Sequence, residues 1–307
     1  MRLSMPEVPL ADGFEWALHP FGPALRCGPL HGLARHCFTT RAPALGRGPS
    51  DASAGWLAVA GAMGLAPDRL LRLRQVHGTA VVALHRVDGV PAADLDWSTG
   101  DILVSDRDDV ALCVRVADCV PILLADRASG VVAAVHAGWR GTAAGAAAAA
   151  VESLASAYGV RPRNLVAAIG PSIGPCCYRV GAEVRDEFEA AGRWHGELDR
   201  WFSAEPSSPA LCGIPGRDPA DSGLRAPLFL DTWAANADQL RLAGVPPAHV
   251  HASRLCTSCY REVFHSHRVD GDRAGRMAGV IRKRPGPEGR EPASGIGTSR
   301  FGGRRRG

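Results

Sequence analysis

Short apolar runs alternate along this chain with helix-length stretches rich in alanine and leucine. In "DRLLRLRQVHGTAVVALHRV" strand-like material lies on both sides of "HG". "DILVSDRDDVALCVRVADCVPILLAD" predicts three or four short strands separated by Asp-rich turns. "SGVVAAVHAG" predicts another, because "RASG" turns the chain and "VVAAV" is continuously apolar, the signature of a strand buried on both faces. Thr142 is then a candidate cap for the Ala-rich helix of "AAGAAAAAVESLASAYGV", which stops at Gly159. "NLVAAIGPSIG" predicts a strand and turn, and "GAEVRDEFEAAG" a helix ending at Gly192. "LFLDTWAANADQLRLAGV" predicts a strand and then a helix capped by Asp231, and "HVHASRLCTSC" and "GRMAGVIRKR" predict the last strands. Roughly Ser203 to Pro227 reads as a Pro/Gly/Ser-rich loop or insertion. The pattern predicts one mixed α/β domain over 20–283, preceded by an N-terminal extension at 1–19 and followed by a disordered basic tail at 284–307. No internal repeat is visible, and no "GxGxxG" follows a strand, which removes support for a dinucleotide-binding fold.

Composition narrows the picture only a little. A chain of 307 residues can bury a sizeable core. With 46% hydrophobic and 21% charged residues it has globular rather than disordered composition. Much of the net charge of +4 comes from the basic tail. The body shows no basic helix and no patch of cations interleaved with aromatics, so no nucleic-acid partner is expected. The N-terminus lacks a charged start followed by an apolar run, and "AAGAAAAAV" is too short to span a bilayer. A soluble, cytoplasmic protein with no membrane partner is expected. In that compartment the nine cysteines read as free thiols or metal ligands rather than disulfides.

Three residues carry the candidate chemistry: His77 in "RLRQVHGT", Cys119 in "VADCVP" and His136 in "AVHAGW". Each lies at a strand end beside a turn residue or proline. Two imidazoles and a thiolate are a ligand set for Zn²⁺ that leaves the fourth position open, and zinc brings the pKa of bound water near neutrality. The same residues allow Cys119 as a nucleophile with His136 as its base, and a single buried Cys or His is commonly structural. Gln75 lies two residues before His77 and shares its side if the segment is extended, to contact a base or orient the site. Arg140 near the start of the Ala-rich helix suits an anion or a surface salt bridge. Asp118 cannot share the face of Cys119 in a regular strand, so it is a candidate to hold a turn or to bond behind the ligand. "CTSCYREVFHSH" places Cys256, Cys259, His265 and His267 like a short zinc knuckle, whereas Cys176 and Cys177 in "PCCY" read as packing.

"RQVHG", "ADCVPILLAD", "VVAAVHAGWRGT", "AIGPSIGPCCYRVG", "FLDTWAANADQL" and "HSHRVDGDRAGRMAGVI" occur in this order. Together they closely resemble the laccase-domain or polyphenol oxidase family, also described as purine nucleoside phosphorylases with adenosine deaminase activity. Its bacterial members are also named peptidoglycan editing factors. The resemblance implies an α/β (α+β) fold, a single-domain layered sandwich of mixed β-sheets covered by helices. It implies a zinc site on His77, Cys119 and His136, and purine nucleosides and phosphate as substrates. The activities implied are phosphorolysis of adenosine-, inosine- or guanosine-type nucleosides to base and ribose 1-phosphate, and adenosine deamination. Arg41 in "FTTR" matches a family arginine suited to phosphate. Here "APALGRGPSDASAGWLAV" replaces the usual Gly-Gly-Val-Ser stretch and Asn-Leu pair, which leaves the role of Arg41 open. Editing of a peptidoglycan precursor by an amidase-like cysteine or zinc hydrolase is the alternative. Copper-dependent phenol oxidation is disfavoured, because 11 histidines include just two His-x-His pairs, at His249 and His251 and at His265 and His267. No carboxylate stands out as a proton shuttle, and nothing in the chain specifies an oligomeric state.

Overall fold

The computed structural model describes residues 5–46, 53–88, 94, 96–194, 196–207 and 227–285. Its strands are β1 (Phe14–His19), β2 (Gly22–Cys27), β3 (Ala34–Thr39), β4 (Leu70–Arg72), β5 (Val81–Leu84), β6 (Ile102–Ser105), β7 (Ala111–Val116) and β8 (Val120–Asp126). They continue with β9 (Val132–Ala137), β10 (Leu165–Ile169), β11 (Arg179–Val180), β12 (Phe202–Ser203), β13 (Leu228–Leu230), β14 (Val250–Ala252) and β15 (Met277–Lys283). The helices used below are α1 (Gly28–His31), α2 (Ala54–Ala62), α3 (Trp139–Ala144), α4 (Ala146–Tyr158), α5 (Ala182–Ala190), α6 (Leu198–Trp201), α7 (Thr232–Leu242) and α8 (His267–Asp270).

Two six-stranded mixed sheets form the body, in the orders β1-β2-β3-β15-β7-β4 and β14-β10-β8-β9-β6-β5. Alternation within each strand explains why their sequences read as unbroken apolar runs. On β8, Leu123 and Ala125 pack into the space between the sheets with Phe38, Leu112 and Val114. Val120, Ile122 and Leu124 point the other way, onto Ala147, Val151 and Leu154 of α4. The first sheet does the same with Cys37, Cys113 and Val280, which meet Trp56 and Val59 of α2. Both faces of the central strands are therefore covered, so few polar residues interrupt them. The fold is α/β, a layered sandwich of mixed sheets with helices on the outside. A small sheet, β11-β13-β12, sits with Phe188, Trp194 and Trp201 beside this body.

Three expectations change. The first sheet begins at Phe14, within the segment expected as an extension: β1 pairs with β2 from Phe14↔Cys27 to His19↔Gly22, and Phe14 joins the core. The Ala-rich helix is two helices. Helix α3 starts at Trp139 with Gly138 as its N-cap, and Gly145 at φ 91 separates it from α4. Thr142 is thus inside α3 and fully buried, with its Oγ1 accepting a hydrogen bond from Asn236 Nδ2. The nine cysteines are not all thiols, because Cys259 is disulfide-bonded. By contrast Asp231 caps α7 as expected, accepting from the Ala234 N–H at 2.9 Å. Most of the expected 203–227 loop and of the 284–307 tail lies outside the described residues. Among the described residues no helix is long and apolar enough to cross a membrane.

Candidate metal centre

Strand pairing brings two of the three candidate ligands together. Register in the antiparallel β8–β9 pair sets Pro121 opposite His136 and Val120 opposite Ala137, so Cys119, just before β8, lies beside the end of β9. Strand β6 flanks β9 on the other side with Ile102 opposite Val135. Asp101, the residue before β6, then lies against His136, and the His136 N–H donates to the Asp101 carbonyl at 2.8 Å. His77 arrives on the turn between β4 and β5, at φ 63. The ligand atoms of His77, Cys119 and His136 all lie within 4.8 Å of one another, and the two imidazole rings meet edge to face at 4.9 Å.

Asp101 organises this centre. Its buried carboxylate lies 2.8 Å from His136 Nδ1, and an ionised carboxylate only accepts hydrogen bonds. Nδ1 therefore carries the proton and Nε2 keeps its lone pair for a metal, the tautomer that metal-binding histidines normally hold through such a partner. The same carboxylate accepts the N–H groups of His77 at 3.0 Å and Gly78 at 2.8 Å, and also that of Val76. One side chain thus sets the orientation of two ligands. Burial acts to raise the Asp101 pKa, but the His136 and backbone hydrogen bonds outweigh it and hold the carboxyl below its ordinary value.

Cys119 and His136 shift each other's ionisation in opposite directions. Burial alone would raise the Cys119 thiol, yet the charge of His136 and hydrogen bonds from both histidines bring it down to about 6. Burial alone would lower His136, yet Cys119 and Asp101 raise it to about 9. A thiolate, two imidazoles and a fixed tautomer meet the donor requirement of a zinc site with one open position. Burial rises from exposed His77 through half-buried Cys119 to buried His136, so the centre faces solvent on the His77 side. Gly138 leaves the room for this packing: a Cβ there would lie 2.7 Å from His77 Cδ2 and 3.2 Å from Cys119 Sγ.

Two cavities meet at the centre. One of about 390 Å³ is bordered by His77 and Cys119 together with Trp139, Arg140, Tyr178 and Arg268. The other, of about 270 Å³, is bordered by Gln75, His77, Cys119, His136, Arg115 and Arg276. His267 at the start of α8 lines both, and its Nδ1 lies 2.9 Å from the Gly271 carbonyl. Arg140 is exposed at the cavity rim with its guanidinium 4.1 Å from the Trp139 ring centre. Gln75 borders the second cavity but spends its amide on the backbone: Nε2 donates to the Arg115 carbonyl at 2.8 Å and Oε1 accepts the Arg115 N–H at 2.9 Å. Arg41 is elsewhere. It donates to the Arg261 carbonyl and lines a third cavity that shares no residue with the other two.

Asp118, at φ 82, holds the floor of the centre. It accepts from Thr257 Oγ1 at 2.6 Å, Ser266 Oγ at 3.1 Å and the Arg268 N–H at 2.6 Å. Burial raises its pKa against the pull of these bonds. The knuckle-like spacing of Cys256, Cys259, His265 and His267 does not bring these four together as one cluster among the described residues. Cys256 and Cys259 cluster instead with Cys176 and Cys177.

Residues 44–284 match the family described as multi-copper polyphenol oxidoreductase laccase. The chain is 36% identical over 221 residues, 71% of its length and 73% of the relative's, to "Purine nucleoside phosphorylase YlmD" of Geobacillus stearothermophilus. It is 34% identical over 233 residues, 74% of its length and 80% of the relative's, to "Adenosine deaminase RL5" from an unknown prokaryotic organism. The crystal structure of YlmD from Geobacillus stearothermophilus superposes with a TM-score of 0.70 at 32% identity, covering 90% of this chain and all of that one. With the match spanning the whole second sheet, β4, β7 and β15 of the first, and all three candidate ligands of the centre, the chain belongs to the multi-copper polyphenol oxidoreductase laccase family.

Proposed function

We propose that this protein is a zinc-dependent purine nucleoside enzyme, cleaving nucleosides with phosphate to base and ribose 1-phosphate and deaminating adenosine. The observation that carries this reading is the His77–Cys119–His136 centre opening onto a cavity of about 390 Å³ with arginines and aromatic faces on its wall. That volume falls within the range of about 300–1,000 Å³ usual for small-molecule sites. The names of the relatives support the substrate class. Bound at the three side chains, zinc supplies Lewis acidity that favours ionisation of water near neutral pH.

The remaining work falls to the chain. Asp101 keeps His136 in the ligating tautomer and holds the His77 turn in place. Trp139 and Tyr178 offer ring faces to a purine. Arg140 and Arg268 offer positive charge to phosphate or to a leaving base. In phosphorolysis a phosphate oxygen bonds to C1′ as the glycosidic C–N bond breaks. In deamination a water oxygen bonds to C6 and ammonia leaves. His267 lines both cavities, and we assign it the proton transfer that both reactions need. Arg41, in its separate cavity, has no part in this scheme.

Purified protein of measured metal content is incubated with adenosine, or with inosine and phosphate, and base, ribose 1-phosphate and inosine are followed by chromatography. We expect a chelator to abolish turnover, zinc to restore it, and Cys119→Ala to abolish it outright. Turnover that survives Cys119→Ala, or that appears only with added copper and a phenol, defeats the proposal. The aligned Cys119, His136 and Asp101 favour one other reading, a cysteine hydrolase acting on an amide of a peptidoglycan precursor. Amide cleavage that resists chelation but is lost on alkylation of Cys119 would establish that reading.

A further inference from the structure

We propose that Cys176, Cys177, Cys256 and Cys259 form a second metal site, a tetrathiolate zinc centre that assembles when the disulfide at Cys259 is reduced. The four sulfurs lie within 4.8 Å of one another. Cys259 Sγ is 3.6 Å from Cys176 Sγ and 3.3 Å from Cys177 Sγ. Zinc–sulfur bonds of about 2.3 Å in a tetrahedron put sulfurs about 3.8 Å apart. The observed spacing is therefore close to that of a closed four-sulfur site, and far longer than the roughly 2 Å of a disulfide between these pairs.

The surroundings fix the four sulfurs in position and give one of them a hydrogen-bond donor. The sulfurs come from two turns that are already joined. Ser172 and Cys256 bridge in parallel, and the Tyr178 N–H donates to the Gly174 carbonyl at 2.8 Å. The Gly174 N–H donates to Cys256 Sγ at 3.3 Å, a bond that strengthens when the sulfur carries negative charge. Cys256 is buried, and the other three are half-buried. Cys176, Cys177 and Cys256 are thiols, so three ligands stand ready and only Cys259 has to be released. A dithiol reductant does this by taking over the bond: the S–S bond at Cys259 breaks, the reductant's own S–S bond forms, and two thiols remain. Zinc then displaces the thiol protons to water.

The site ties together the turns that wall the first cavity. Tyr178 follows Cys177 directly, and Thr257, next to Cys256, donates to Asp118 beside Cys119. Closure of the second site thus braces the first without sharing a ligand with it.

The full chain is reduced with dithiothreitol, freed of reductant without oxygen, loaded with zinc alone and assayed for bound metal. The reduced Cys119→Ser protein is expected to hold one zinc per chain whose X-ray absorption shows sulfur ligands only. The reduced Cys256→Ser protein is expected to lose that zinc and keep one with mixed nitrogen and sulfur ligands. Should Cys256→Ser fail to fold, wild-type protein decides: zinc should slow iodoacetamide labelling of all four cysteines by roughly tenfold or more, read by peptide mass spectrometry. Absence of zinc from reduced Cys119→Ser, nitrogen ligands on that zinc, unchanged labelling, or equally tight zinc binding by the oxidised Cys119→Ser protein each overturns the proposal.

Discussion

At the scale of single residues, Asp101 and Gly138 set the metal centre. The Asp101 carboxylate serves His136 and three successive backbone N–H groups around His77. Asp101→Asn turns one acceptor oxygen into a donor facing those N–H groups. We expect zinc affinity or turnover to fall by about 10–100-fold, measured by chelator competition, and an unchanged affinity would refute the role. Gly138 is required for space rather than for conformation, since its φ of −70 suits any residue. Gly138→Ala places a methyl against His77 and Cys119, so metal binding should be lost while the thermal transition stays cooperative. Neither residue was legible in the sequence as part of the site. Asp101 stands 24 positions from His77 and 35 from His136, and "STGDILVS" gives only a turn and a strand. The three candidate ligands themselves are legible, because each interrupts or ends an apolar run.

At the scale of elements, turn residues decide where side chains point. Gly145 splits the Ala-rich stretch at φ 91, and a Cβ on it would lie 2.9 Å from Arg193 Nη1. Gly145→Ala should destabilise the fold by about 1–2 kcal/mol, visible as a lower urea midpoint, and an unchanged midpoint would contradict the strain. Helix propensity alone runs straight through this position, because the signal for the break is a tertiary one. The case of Gln75 is similar. Its place before His77 suggested a substrate contact, but the segment turns instead of running straight, and the amide closes onto the Arg115 backbone. Gln75→Leu should therefore cost stability and shift metal affinity before it changes nucleoside preference. Comparison of the urea midpoint with relative KM values for two nucleosides tests this.

At the scale of the whole molecule, stability should depend on pH through His36 in the first sheet. This ring is buried, with Nε2 accepting the Cys27 N–H at 2.9 Å, and burial brings its pKa from 6.5 down to about 4. The folded pKa lies below the unfolded one, so the contribution is whole above pH 6.5 and declines as the pH falls toward about 4, where the folded ring also protonates. Over that window the unfolded chain binds a proton that the folded one refuses, which amounts to a loss on the order of 3 kcal/mol. His36→Gln keeps an acceptor without titrating and should flatten the profile of urea midpoint against pH. A profile as steep as that of the unsubstituted protein would assign the loss to other groups.

Most strands, most helices, the α/β class and the three side chains of the candidate metal centre are legible in the sequence alone. Those properties follow from local periodicity and from reactive side chains placed at the ends of apolar runs. Tertiary structure alone decided how the ligands are oriented, that Arg41 sits in another cavity, that Phe14–His19 belongs to a sheet, and that four cysteines from two distant turns converge. Each of these depends on sheet register and on which turns pack together, and such contacts between distant segments leave no periodic trace along the chain.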